Sequence, residues 1–180
     1  ACYRVKYSDY GEFARKEAKP LARFDGWLSQ QGLSDVVPME GLTRSATDWH
    51  KCKGQAYAVP PKDYWPAIAP TLRLLEDEIK PLVGPVRVDS GWRSPKINEC
   101  VGGAKASKHM SYQALDLSPL SDISRDELIV RLCAFHRDHG AQYNMGLGIY
   151  KGTRFHIDTG GFRRWGADYK AASSPCAAFD

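Results

Sequence analysis

The five cysteines of this 180-residue chain include no C-x-x-C pair, which argues against a zinc site built from thiolates. No apolar run approaches the roughly 18 residues of a membrane-spanning helix, so no membrane span is predicted. Internal repeats and low-complexity segments are also absent, which excludes repeat architectures. The remaining composition, 43% hydrophobic and 26% charged, is that of an ordinary globular protein, and the length predicts a single domain over residues 1–180.

The sequence has only a small excess of positive charge. A net charge of +4 without any nucleic-acid-binding motif gives no support for a nucleic-acid partner. The charge would help the protein stay near an anionic polymer, although a solvated basic surface is the simpler explanation. We expect a monomer.

The cysteines predict disulfides if the protein is exported. One or two bonds are expected, and the odd count leaves at least one thiol unpaired. Cys133 lies on the predicted buried face of a helix and is the candidate for the free thiol. Cys2, close to the start, is a candidate for lipid modification instead. The spacing does not determine the pairing.

The pattern of the N-terminal half predicts helices. Residues 8–31 suggest two short helices, because Pro20 interrupts the apolar face. Residues 32–54 read as irregular. Pro66 can open a scaffold helix that ends at Pro81 and Gly84, with an apolar stripe formed by Ile68, Leu72, Leu75 and Ile79.

The second half mixes short strands and helices. Val86 and Val88 indicate a strand, Ser94-Pro95 begins a short helix, and Gly102-Gly103 permits a tight loop. A capping box at residues 124–127 starts another helix, which Gly140 stops. Residues 148–158 read as a hairpin that places Arg154, His156 and Asp158 on one strand face, with Phe155 and Ile157 in the core. We therefore predict an α+β domain.

Three residues form a candidate catalytic zinc site. His109 and Asp116 are seven residues apart, separated by a turn and the start of a strand, so that both can reach one ion. His156 on the hairpin offers a third ligand. Three protein ligands leave the fourth position open for water, which distinguishes a catalytic zinc from a structural one.

Three sequence motifs around these residues follow one another in an order that is typical of a known family. Ser-Gly-Trp-Arg-Ser-Pro (90–95), Ser-x-His-x6-Asp (107–116) and Phe-His-Ile-Asp-Thr-Gly (155–160) resemble the zinc D-alanyl-D-alanine peptidase family, which includes VanX and VanY and is related to the hedgehog signalling domain. The run Gly-Ile-Tyr (148–150) and the extension to Arg-Arg-Trp at 165 are most similar to the YcbK-like branch of murein endopeptidases. The resemblance covers roughly residues 66–166 and leaves residues 1–60 as an extension atypical of the family.

The resemblance implies a fold and an activity. The expected fold is a small antiparallel β-sheet lining a zinc site, with helices flanking it. The expected protein is a zinc peptidase with one Zn²⁺ that acts on peptidoglycan peptides. It would be exported to a bacterial periplasm or the extracellular space, with its signal peptide outside this numbering.

Four further residues are expected to contact substrate. The resemblance implies that Arg93 binds substrate and stabilises the tetrahedral intermediate, which a guanidinium can do by gripping an oxyanion; a salt bridge that pins a loop is the alternative. Ser107 is either a substrate contact or a turn residue. Trp92, next to Arg93, and Arg154 are also assigned to substrate binding.

The general base has no clear match in the sequence. Relatives carry Glu three residues before the last histidine, or His two before it, and this chain has Thr153 and Arg154 there. Asp158 is assigned as the catalytic base, with orientation of a ligand imidazole as the alternative role. The fallback bases are His50, His136 and His139, the last two expected on a solvated helix end.

The family also places a glycine where this chain has Tyr112. If that position needs a positive φ, Tyr112 is strained or the turn differs. We expect the phenol to pack on the surface or, alternatively, to narrow the pocket.

The favoured function is hydrolysis of stem peptides or their cross-links, of the murein endopeptidase or D-Ala-D-Ala carboxypeptidase type. Two alternatives are a catalytically inactive, zinc-containing wall-binding module, suggested by the missing Glu-x-x-His, and a phage-type endolysin or dipeptidase of the same family.

Overall fold

The computed structural model describes residues 10–179 as short helices around one small sheet. The helices are α1 (Tyr10–Lys16), α2 (Ala18–Gln30), α3 (Met39–Thr43), α4 (Trp65–Leu74), α5 (Lys80–Val83), α6 (Pro95–Cys100) and α7 (Arg125–His139). The strands are β1 (Val86–Ser90), β2 (Ala114–Pro119), β3 (Gly146–Ile149), β4 (Phe155–Asp158) and β5 (Arg163–Trp165). Among the described helices, none has the length and apolarity needed to cross a membrane.

The sheet has the strand order β1-β2-β4-β3-β5. All neighbours are antiparallel except β3 and β5. The predicted α+β class and the hairpin are therefore confirmed. Asp116 on β2 lies directly opposite His156 on β4, and Ala114 lies opposite Asp158. This register brings two predicted ligands from distant parts of the chain onto adjacent strands.

The helices follow the sequence pattern with two corrections. Residues 32–54, which were expected to be irregular, contain the short helix α3. Two helices occupy residues 10–30, as predicted, while residues 8 and 9 lie outside the described part. Pro20 lies in the first turn of α2, where backbone N–H groups have no partner within the helix, so the missing N–H of proline costs no hydrogen bond. The long helix does not end at Pro81. A π turn at Leu75–Ile79 widens the backbone ladder just before this proline, and the chain stays helical to Val83, where Gly84 takes φ +81°.

The core lies between the sheet and the helices behind it. Phe155 and Ile157 on β4 are fully buried, as the alternation predicted. The apolar stripe from α4 into the π turn is also buried, which confirms its scaffold role. Because these apolar residues fix β4 from behind, the polar side chains of the same strand are held in place on the other side.

Two glycines on β3 leave room for the polar face of β4. A Cβ at Gly146 would stand 2.4 Å from Oδ2 of Asp158, and one at Gly148 would stand 2.5 Å from Nε1 of Trp165. Both contacts are far below van der Waals distance. Any side chain at these positions would displace the groups that surround His156.

The prediction that Cys133 carries a free thiol is wrong. Cys133 on α7 forms a disulfide with Cys176, and Cys52 forms one with Cys100. The C-terminal tail folds back onto α7 and buries Cys176, a long-range contact that spacing alone does not reveal. The proposed lipid modification of Cys2 falls outside the described residues.

The Cys133–Cys176 disulfide should contribute strongly to stability. Replacing both cysteines with alanine should lower the free energy of unfolding by about 4 kcal/mol, since the bond closes a loop with a sequence separation of 43. Urea unfolding of the oxidised wild type and the double variant measures this difference. Equal midpoints for the two proteins would show that the tail contributes nothing through this bond.

Tyr112 is placed differently from expectation. Its φ is +56°, and its side chain is fully buried in the core, neither on the surface nor in the pocket. The hydroxyl donates a hydrogen bond to the carbonyl of Leu42 at 3.0 Å, and burial raises the pKa of the phenol. This hydrogen bond and the buried ring offset the strain of a left-handed residue.

Candidate metal centre and its pocket

Three buried side chains from separate elements converge on one point. His109 comes from the loop before β2, Asp116 from β2 and His156 from β4. One ligand atom of each lies within 4.8 Å of the others, and each residue is at most 5% exposed. The structure thus brings together the three residues that the sequence predicted as metal ligands.

His109 is prepared to act as a neutral ligand. Its Nδ1 lies 2.7 Å from the carbonyl oxygen of Gly91, so Nδ1 carries the proton and donates it. Nε2 then presents a lone pair toward Oδ1 of Asp116, 3.4 Å away. Burial, followed by the nearby charge of Arg93, lowers the pKa of His109 to about 4. The ring is therefore neutral at physiological pH.

His156 directs Nδ1 toward Asp116, whereas His109 directs Nε2 toward it. Its Nε2 lies 2.7 Å from Oδ2 of Asp158, and its Nδ1 lies 3.0 Å from Oδ1 of Asp116. Burial lowers the pKa of His156, but hydrogen bonds to these two carboxylates outweigh it and raise the pKa. In the absence of a metal, His156 can hold a proton between Asp116 and Asp158.

This donor set fits a zinc ion. Two imidazole nitrogens and one carboxylate oxygen form a ligand set used by catalytic zinc. The lone pair of His109 Nε2 and the acceptor Oδ1 of Asp116 face each other with no proton between them, an arrangement that a cation resolves. Each histidine also has its second nitrogen fixed by an acceptor, as ligating histidines usually do.

The second carboxylate oxygen of Asp116, Oδ2, contacts two guanidinium groups. Nη2 of Arg93 lies 2.6 Å from Oδ2, and Nη2 of Arg154 lies 3.0 Å from the same atom. Burial alone would raise the pKa of Asp116, but His109, His156 and Arg93 outweigh it and hold the pKa well below its ordinary value. Asp116 is consequently ionised and ready to ligate.

The contacts of Asp158 favour the alternative role, orientation of His156, over the predicted role of catalytic base. Both oxygens are already engaged: Oδ2 by His156 and by Nη2 of Arg163, Oδ1 by Nη1 of Arg163 and the backbone N–H of Gly160. The residue is fully buried and does not line the pocket. Burial raises its pKa, but His156 and Arg163 outweigh this and lower the pKa to about 2.

Replacing Asp158 with asparagine should weaken the site without removing a ligand. The amide cannot hold the Nε2 proton of His156 as a carboxylate does, and we expect metal affinity or activity to fall by about 10- to 100-fold. Competition for zinc against a chromophoric chelator measures the affinity. Asp138→Asn, on the exposed end of α7, is the matched control. An unchanged affinity for Asp158→Asn would contradict the orienting role.

The metal site opens into a cavity of about 530 Å³. Arg93, Ser107 and Arg154 line it, as predicted for substrate contacts. Ser107 also keeps a turn role, since its hydroxyl accepts from the N–H of His109 at 3.4 Å. Trp92 does not line the cavity. Its indole donates to the carbonyl of Met110 and its ring packs against the core, so that its predicted substrate contact is not supported.

Other aromatic and charged residues line the cavity instead. Trp165 lies against the metal ligand His156 with ring centroids 5.0 Å apart, and Tyr150 and Tyr169 form a further wall. Asp48 lines the same cavity from the irregular N-terminal region. Trp165 ends the stretch on which the family resemblance is based, and this resemblance is the sequence signal that could have identified it as a site residue. Nothing in the local sequence marked Asp48.

The three remaining histidines stand apart from the metal group. His50 and His139 are exposed, whereas His136 is buried, contrary to the expectation of a solvated helix end. Nε2 of His136 lies 3.1 Å from the carbonyl of Met145, and its ring stacks on Phe162. None of the three lines the cavity, so the structure gives no support to a role as base.

Comparison with known proteins gives one match. A family model described as "Peptidase M15" matches residues 37–158, about two thirds of the chain, and thus begins earlier than the motif-bearing region. The match includes all three members of the metal group. No curated protein and no solved structure shows a significant match to this chain.

Proposed function

Because the chain belongs to the peptidase M15 family of zinc D-Ala-D-Ala peptidases, we propose that it hydrolyses peptide bonds in peptidoglycan stem peptides or their cross-links. The observation that carries this proposal is the buried group of His109, Asp116 and His156 at the wall of an open cavity. The proposal includes a single zinc ion held by these three residues.

The chemistry follows from the residues around that position. When bound, zinc would lower the pKa of a water molecule and polarise a peptide carbonyl. Arg93 lines the cavity beside Asp116 and presents a fixed positive charge to an oxygen that gains negative charge during hydrolysis. Asp158 fixes the ring of His156 from behind.

Proton transfer requires a base that reaches the cavity. Apart from the ligand Asp116, the described carboxylate that lines the cavity is Asp48, whose side chain is about half exposed and lies 3.2 Å from Lys51. We propose Asp48 as the first candidate for the base, in place of Asp158.

The proposed setting is outside the cytoplasm. Two disulfides among the described residues support export, because such bonds persist in oxidising compartments. The cationic residues that line the cavity suit the anionic peptides of a cell wall.

Digestion of purified peptidoglycan tests the proposal. Mass spectrometry of muropeptides after incubation with zinc-loaded protein should show shortened stem peptides or separated cross-links, and the product masses identify the bond. Tight binding to the wall with no released product would instead favour the inactive binding module. Hydrolysis that survives complete chelation of zinc would reject a zinc peptidase.

A further inference from the structure

Arg154 is a cation without a dedicated counter-ion at the metal site. It comes two residues before the ligand His156, and its side chain is one-third exposed to the cavity. Its contact with Oδ2 of Asp116 is shared with Arg93, which is closer, less exposed and also bonded to Ser90. One carboxylate oxygen therefore serves two guanidinium groups.

The guanidinium of Arg154 is only partly paired among the described residues, and about a third of its side chain is exposed. Its Nε is buried and has no acceptor among the described residues, whereas an arginine normally uses this donor. The nearby carboxylate of Asp89 already binds Arg87 and Ser118. The ring of Tyr150 lies 5.3 Å from the guanidinium carbon and supports it from one side. Arg154 is thus positioned but incompletely paired.

The cavity around it favours an anion. Lys108, Arg163 and Arg164 also line it, while the described carboxylates that do so are Asp48 and Asp116. When the last peptide bond of a substrate is cut, the C-terminal carboxylate is the main-chain anion next to the reacting carbonyl. Consecutive Cα atoms are about 3.8 Å apart, so when only the last residue is removed, this carboxylate lies about one residue from the bond that breaks.

The geometry points to Arg154 as the specificity-determining residue that binds the C-terminal carboxylate of the substrate. This inference rests on the proposed function and refines it: the chain removes a single C-terminal residue in preference to cutting an internal bond. A guanidinium recognises a carboxylate through two parallel hydrogen bonds. An internal bond would place a neutral amide at the same position and leave the charge unmatched.

Two matched peptides test this assignment. One is an N-acetylated stem pentapeptide with a free C-terminus, and the other is the same peptide as the C-terminal carboxamide. With zinc-loaded wild type, kcat/KM for the acid should exceed that for the amide by roughly 100-fold. In Arg154→Gln this ratio should fall to within a few-fold of unity, mainly through KM for the acid, and Arg154→Lys should restore part of it.

Controls separate recognition from support of Asp116. Lys151→Gln removes the same charge from the exposed turn before β4 and should leave the ratio unchanged. Zinc content is measured for every variant. If Arg154→Gln lowers both rates equally, or if wild type cleaves acid and amide equally well, the inference is overturned while the peptidase function stands. If zinc-loaded wild type cleaves neither the peptides nor peptidoglycan, the proposed function fails and the inference fails with it.

Discussion

Replacing His156 with alanine should abolish zinc binding at this site and reduce peptide hydrolysis to below about 1% of wild type. The expected loss exceeds the 10- to 100-fold effect of an outer-shell partner, because a ligand itself is removed. The imidazole also separates the carboxylates of Asp116 and Asp158 in the metal-free protein, with 3.0 Å and 2.7 Å contacts to them. Metal content by mass spectrometry and the rate of stem-peptide cleavage measure both effects.

A matched variant makes this result specific. His139→Ala removes an exposed imidazole from the end of α7, away from the cavity, and should retain zinc and activity. Circular dichroism shows whether His156→Ala remains folded. A folded His156→Ala protein that still hydrolyses peptides at the wild-type rate would contradict the assignment of His156 as a ligand of a catalytic metal.

Replacing Arg93 with alanine should lower kcat by about 10²- to 10³-fold at saturating zinc. This is the typical effect of removing one donor that stabilises an oxyanion. Arg93 is held by Ser90 and Asp116 at 3.0 Å and 2.6 Å, and its backbone N–H donates to the carbonyl of His109. Its guanidinium is therefore fixed before substrate binds, which is the condition for such catalysis.

The alternative role of Arg93, a salt bridge that pins a loop, predicts a different pattern. Loss of a pinning contact would lower zinc affinity and stability, and activity would recover once zinc is saturating. Arg93→Lys keeps a positive charge but loses the planar fork, and kcat should recover only in part. Full activity of Arg93→Ala at saturating zinc would exclude the proposed catalytic role.

The sequence predicted the elements well where a local signal existed. The capping serines at 94 and 124 do accept hydrogen bonds from the N–H groups of Ile97 and Glu127. The alternation along β4 placed Phe155 and Ile157 in the core, and the order of motifs identified the three members of the metal group. Each of these inferences depended on residues close together in the sequence or on a specific family pattern.

The differences between the expectations and the structure share a physical origin. The position of Asp158 on the correct strand face allows either a base or a residue that orients His156, and Arg163, which follows the turn after β4, engages both of its oxygens and favours the second role. The sequence makes Cys133 the candidate for the free thiol because the path of the tail is not visible in any local pattern. Trp92 is adjacent to Arg93 in sequence, yet successive side chains point in different directions, and the indole turns to Met110. In all three cases the contacts of the side chain depend on packing between parts of the chain that are distant in sequence or on side-chain direction, which local patterns do not show.

The most direct test of the central claim is a zinc titration of the metal-free protein. Stem-peptide hydrolysis is measured at each step, together with the amount of bound zinc. A buried site of three ligands that performs the chemistry predicts no activity in the metal-free protein and a linear rise that stops at one equivalent. Full hydrolysis by the metal-free protein, or one tightly bound equivalent with no hydrolysis of any stem peptide, would contradict the account.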